Sequence, residues 1–340
     1  MQTNEMHEVA RELVARGKGI LAADESSGTI KKRLDQIGVE SNEANRRAYR
    51  QLLFTTRDLG EHISGVILFD ETIRQATDDG TPLTEVLEKA GVIPGIKVDT
   101  GAKPLALFEG ETVTEGLDGL RERLAEYRDL GARFAKWRAT YFIGGGLPTE
   151  FAVLANGHAM ARYAGLCQEA GIVPIVEPEV LMDGAHELAD CERATGLSLD
   201  GLYDQLRRHR VDLAGSLLKV NMVVPGKDSS NQVDDATIAE ATLRTLREHV
   251  PAEVPGIVFL SGGMSDEEAT SRLNEINRRG EAPWQISFSY GRALQQAPLK
   301  IWGGDASNAA AAQTALAHRA KMNGLARNGE WDRSMEGSAA

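Results

Sequence analysis

Eight β-rich runs, most of them continuously apolar, alternate with helical patterns along 340 residues, and this alternation predicts an α/β (β/α)8 barrel, the TIM-barrel class. A further observation points the same way. Nearly every run carries a charged or hydroxyl residue at or near its end, where a barrel would gather residues from distant parts of the chain.

The runs are, in order, KGILAAD from Lys18, GVILF from Gly65, VIPGIKVD from Val92, RFAKWR from Arg133, IVPIVEPE from Ile172, SLLKVNM from Ser216, GIVFLSGG from Gly256 and QISFSYGR from Gln285. Strands covered by helices on both faces read as unbroken apolar stretches rather than as alternating ones. The connection DDGTPLTEVLEKAGV, between the second and third runs, is irregular and predicts a partial loop. Before the fourth run, Leu117, Leu120, Leu124, Tyr127 and Leu130 recur at spacings of three and four, the pattern of an amphipathic helix. Before the fifth lies the helix-like ARYAGLCQEA, in which Cys167 reads as a small buried hydrophobe. Before the eighth, Ser265 with Glu268 three residues on is a capping-box signature for SDEEATSRLNEIN. A doubly wound open sheet is the alternative, but no GxGxxG follows the first run, which weakens a dinucleotide-binding version. Residues 1–327 are expected to form one barrel with its N- and C-terminal helices, and 328–340 a flexible tail.

Composition narrows the partners. A formal net charge of −12 is the wrong sign for a general nucleic-acid binder, yet a few local cations can hold a phosphorylated metabolite in an acidic protein. Two distant cysteines, Cys167 and Cys191, form neither a disulfide framework nor a zinc-ligand pair, and a reducing compartment is expected. The N-terminal stretch has acidic residues and no apolar core, so no secretory signal is read there. No stretch approaches a membrane span. A soluble cytoplasmic protein is expected, with neither nucleic acid nor membrane as partner.

The polar residues carry the chemistry. Asp24 ends the first run, Lys97 lies in the third, Lys136 and Arg138 in the fourth, and Glu177 and Glu179 close the fifth. Lys219 lies in the sixth, Ser261 ends the seventh, and Ser289 and Arg292 mark the eighth. A lone lysine near a strand end ordinarily snorkels to water. Several cations and carboxylates converging in one mouth are costly unless paired or bound to substrate. Lys219 follows Leu217 and Leu218 and precedes Val220. An amine in such surroundings, near a second cation such as Lys136, is expected to release its proton and attack a ketone, forming a Schiff base. Glu177 is the candidate for the proton transfers that reaction needs.

Ser261-Gly262-Gly263 and Tyr290-Gly291-Arg292 follow the last two runs. Glycine lets backbone N–H groups approach phosphate oxygens, and these two loops are a frequent phosphate site in barrels. The seven histidines fall mostly in helical or connecting stretches with no HxH or HExxH spacing, so no metal site is read.

From about His7 to about Arg327 the chain resembles class I fructose-bisphosphate aldolases. The segments that carry the resemblance include GKGILAADES, GVILFDET, FAKWR, GIVPIVEPE, SLLKVNMVVPGK, FLSGGMSDEEA, SFSYGRALQ and WGGDASNAAAAQ. The resemblance implies reversible cleavage of fructose 1,6-bisphosphate without metal or other cofactor, in a barrel that assembles as a homotetramer. It implies Lys219 as the Schiff-base lysine and Glu177 as the main proton-transfer group. Asp24 would steer the C4-hydroxyl proton, Lys136 would assist carbinolamine chemistry, and Glu179 would support the lysine cluster. Arg33, Ser261, Gly262, Gly263, Ser289, Gly291 and Arg292 would bind substrate, the last groups mainly at the 1-phosphate. Lys97 and Arg138 are similar to positions that attract the 6-phosphate. Many members end in a tyrosine that helps protonate the enamine, whereas the last tyrosine here is Tyr290. Another group is then expected to take that role, or enamine turnover to be slower. An aldolase or transaldolase for another sugar phosphate, and a barrel that binds without cleaving, are the competing readings.

Overall fold

Strands with apolar residues on both faces need cover on both sides, and the eight expected strands find it by closing into a ring. The computed structural model describes residues 2–280 and 282–338. Its strands are β1 (Gly19–Ala23), β2 (Ile63–Leu68), β3 (Ile93–Lys97), β4 (Gly101–Pro104), β5 (Thr112–Glu115), β6 (Phe134–Tyr141), β7 (Val173–Val180), β8 (Leu217–Val220), β9 (Gly256–Phe259) and β10 (Gln285–Tyr290). Eight of them form a closed parallel barrel in the order β1-β10-β9-β8-β7-β6-β3-β2, and each coincides with one expected run. Ile20 pairs with Ser289 where the ring closes.

Each strand sends alternate residues into the barrel and out toward the helices, as a two-residue side-chain period requires. Ile20, Ala22, Ile67, Phe134, Val173, Ile175, Leu217 and Val258 form an inner core. Met6, Ala10 and Leu13 of the N-terminal helix Gln2–Leu13 join it and stop the lower end of the barrel. Phe134 fits there because Gly95 has no side chain; a Cβ on Gly95 would overlap its ring. The outward residues, among them Leu21, Trp137, Val176, Leu218 and Phe259, belong to a second core beneath the surrounding helices.

Helix Leu120–Asp129 buries Leu120, Leu124 and Tyr127, as their spacing predicts. Helix Asp266–Arg278 begins with both bonds of the capping box between Ser265 and Glu268. The irregular second connection holds the short helix Leu83–Lys89 after a turn. Sequence reasoning missed the antiparallel hairpin β4–β5. Thr114 Oγ1 of this hairpin donates to the Arg138 carbonyl (2.7 Å) and pins the upper end of β6.

Part of the segment expected as a tail lies against the body of the protein. Trp331 is buried, and its backbone N–H donates to Asn274 Oδ1 (3.0 Å). Its indole N–H donates to Glu336 Oε1 (3.0 Å), and Glu336 also pairs with Arg319. The buried aromatic ring and the shared carboxylate hold this segment against the body of the protein. Ala339 and Ala340 lie outside the described residues.

Candidate active site

Above the inner core, the inward-facing series on four strands changes from apolar to charged. Ile20 and Ala22 lead to Asp24, Phe134 to Lys136 and Arg138, Val173 and Ile175 to Glu177 and Glu179, and Leu217 to Lys219. Strand alternation thus brings these groups into one interior. They line a cavity of about 330 Å³ at the carboxyl ends of the strands. Every site residue expected from the sequence lines it: Asp24, Arg33, Lys97, Lys136, Arg138, Glu177, Glu179, Lys219, Ser261, Gly262, Gly263, Ser289, Gly291 and Arg292.

Glu177 lies between two buried amines. Its Oε1 is 3.2 Å from Lys219 Nζ and its Oε2 is 3.4 Å from Lys136 Nζ. Lys136 Nζ is also 2.8 Å from Asp24 Oδ2. The expectation of two lysines pressing on each other is therefore modified, because a carboxylate stands between them. Burial works against ionisation of Asp24, but Lys136, Lys219 and Lys97 more than offset it and hold the carboxyl well below the usual range. Glu177 is likewise lowered, burial being outweighed by Lys219, Lys136 and Arg138. Burial would deprotonate Lys136, yet Asp24, Glu177 and Asp99 hold its ammonium form firmly.

Glu179 forms an ion pair with Arg138, the register neighbour of Glu177. Lys97 Nζ pairs with Asp99 at 3.3 Å. Arg292 opens the helix Arg292–Trp302 rather than ending a strand. Its helix N-terminus and the Gly291 turn present backbone N–H groups suited to an anion. Ser289 Oγ is buried without a protein partner and lines the same cavity.

Glu25 is a residue that sequence reasoning missed. Buried next to Asp24, it pairs with Arg33 and Arg50 at 2.5 Å each and accepts from Gln295 Nε2 at 2.8 Å. It holds Arg33 beside the loop after β10, where a Cβ on Gly291 would lie 3.6 Å from Arg33 Nη2. Its place in LAADES gave no sign of this, because its partners lie far along the chain. Asp183 and Lys227, also on the cavity wall, were missed as well.

A buried lysine facing a carboxylate, with an anion-binding rim above it, makes this a barrel enzyme suited to amine chemistry on phosphorylated carbonyl compounds. Comparison with known proteins carries this further. The family model described as fructose-bisphosphate aldolase class-I matches residues 5–340. A probable class 1 fructose-bisphosphate aldolase of Xanthomonas axonopodis is 54% identical over 332 residues, covering 97% of this chain and 99% of that one. Fructose-bisphosphate aldolase 4, cytosolic, of Arabidopsis thaliana is 54% identical over 308 residues, 90% of this chain and 78% of its own. A Plasmodium falciparum fructose-bisphosphate aldolase, solved with TRAP and a small-molecule inhibitor, superposes with a TM-score of 0.96 at 46% identity, covering 97% and 96% of the two chains. The chain belongs to the class I fructose-bisphosphate aldolases. It is a metal-independent carbon–carbon lyase that cleaves fructose 1,6-bisphosphate reversibly to dihydroxyacetone phosphate and glyceraldehyde 3-phosphate.

Proposed function

We propose that Lys219 is the amine that forms the Schiff base and that Glu177 moves the protons around it. The observation that carries this reading is the continuous contact from Lys219 through Glu177 and Lys136 to Asp24 at the barrel mouth. The neutral Lys219 amine attacks the substrate ketone at C2. Glu177, a carboxylate at rest, first takes a proton from the Lys219 nitrogen and then delivers it to the carbinolamine oxygen, which leaves as water as the iminium forms. The iminium then accepts the electron pair of the C3–C4 bond while Asp24 takes up the C4-hydroxyl proton. Glyceraldehyde 3-phosphate leaves, the enamine is protonated at C3, and water releases dihydroxyacetone phosphate from Lys219. The Lys136 ammonium stabilises oxyanions developing beside it, and Glu179 steadies Arg138.

Arg33, Ser261, Gly262, Gly263, Ser289, Gly291 and Arg292 take the 1-phosphate in this reading. The unpartnered Ser289 hydroxyl and the helix N-terminus at Arg292 support it. Lys97 and Arg138, at the other cations of the wall, serve the 6-phosphate. Homotetramer assembly rests on the family and on an apolar patch. Leu107 is fully exposed, the adjoining Phe108 stacks on Phe151, and Leu154 follows one helical turn later. A second copy of the chain would cover that patch. A cytoplasmic location is consistent with the cytosolic plant relative.

Peptide mass spectrometry after borohydride reduction with dihydroxyacetone phosphate tests the chemistry. The expected adduct is confined to Lys219 and is lost in Lys219→Ala. No adduct from folded protein, or one on another lysine, would sink the assignment.

A further inference from the structure

The loops after β7 and β8 meet over one side of the cavity. Lys227 N–H donates to the Met182 carbonyl (2.8 Å), Gly226 N–H to the His186 carbonyl (2.8 Å) and Asp228 N–H to the Gly184 carbonyl (3.0 Å). These bonds fix the root of the Lys227 side chain beside the glycine loop that follows β9. The side chain lies across that loop, because a Cβ on Gly263 would overlap Lys227 Cε. Two contacts close the arrangement: Gly263 N–H donates to Met182 Sδ (3.0 Å), and Lys227 Nζ donates to Asp183 Oδ1 (3.1 Å). Met182, Asp183 and Lys227 all line the cavity.

Both contacts are weak of their kind. A thioether is a poor acceptor for a backbone N–H. The Lys227 and Asp183 side chains are 42% and 61% exposed, so their ion pair contributes little. A phosphate oxyanion is a stronger partner for both donors. We infer that Lys227 is a further substrate-phosphate ligand, held in reserve by Asp183. When phosphate enters the glycine loop, an oxygen replaces Met182 Sδ at Gly263 N–H and draws Lys227 Nζ away from Asp183. This rests on the reading that Ser261–Gly263 hold the 1-phosphate. Lys227 raises affinity at that end, whereas Asp183 competes with the phosphate for the cation and lowers it. Neither acts on the bonds that break.

Steady-state kinetics of Lys227→Gln and Asp183→Asn test this, with fructose 1,6-bisphosphate and fructose 1-phosphate as substrates and inorganic phosphate as inhibitor. Lys227→Gln should raise KM for both substrates by about three- to tenfold and weaken phosphate inhibition similarly, with kcat nearly unchanged, the loss expected for one charge-assisted hydrogen bond. Asp183→Asn should shift both quantities the opposite way, by roughly two- to threefold, the scale of an exposed ion pair. A general structural disturbance would not give opposite signs. Flat KM values, or shifts of the same sign, would overturn the proposal. So would a rise for the bisphosphate alone, which would put Lys227 at the other phosphate. Borohydride trapping at Lys219 separates the two readings: an intact adduct with a flat KM sinks only the role of Lys227, while absence of an adduct in the unsubstituted chain sinks the Schiff-base assignment.

Discussion

At the lower end of the barrel the strands turn Ile20, Phe134, Val173 and Leu217 inward; two or four residues further along, the same strands turn Asp24, Lys136, Glu177 and Lys219 into the same interior. At roughly 3.3 Å per residue, the change from a dry core to a cluster of charges takes about 7–13 Å. The two ends answer to different physics. Below, close packing around Phe134 and the stopper of Met6, Ala10 and Leu13 bring apolar surface out of water. Above, Asp24, Glu177 and Lys136 are held in their charged forms by neighbouring charges, an arrangement that does little for stability but holds groups ready for proton transfer. The lower end is therefore expected to govern folding and the upper end rate, and each can be altered separately.

The largest effect should come at the top. Glu177→Gln keeps the shape but removes the group between Lys219 and Lys136, and kcat should fall by about 10²–10⁴, read by coupled assay with circular dichroism as a check on folding. Activity within tenfold of the original would make the charged end structural, like the other. Next, Phe134→Ala should lower unfolding stability by about 3–5 kcal/mol in urea titration, while kcat of the folded fraction changes less than about twofold. An equal loss of rate would break the division of labour. A smaller effect sharpens the comparison through pH. Asp24 has a folded pKa below its ordinary 3.8, so its stabilising contribution is fully present above that value and is lost as pH falls below it. Asp24→Asn should therefore flatten the fall in stability between pH 5 and 2 by about 1–3 kcal/mol, as urea midpoints across that range would report. An unchanged acid limb would mean that this carboxylate is not held by its lysines.

Much of this was legible in the sequence, for a local reason. A strand buried on both faces needs an unbroken apolar run, so Lys219 within LLKV or Glu177 within VEPE stands out against its neighbours. Partners that meet only through space left no such sign. Glu25 is 25 residues from Arg50 and 270 from Gln295, and no spacing rule joins them. The hairpin β4–β5 was invisible because each strand has four residues and β4 is largely exposed, leaving little apolar pattern to read. The carboxylate between Lys219 and Lys136 followed from neither strand alone, since it depends on the register between strands. Nothing local marks Trp331 for burial, because its backbone bond partner, Asn274, lies on a helix far along the chain.

The seam of the ring has a consequence for synthesis. Ile20 meets Ser289, and Ser287 Oγ donates to the Lys18 carbonyl, so the first strand finds its second neighbour only after roughly 270 further residues exist. At ordinary ribosomal speeds that interval is about 15–50 s. Throughout it, β1 has one edge of backbone N–H and C=O groups without their final partner, an open template for pairing with another nascent chain. The last strand thus also ends the exposure of the first, and any release of the polypeptide before β10 emerges leaves that edge open for good.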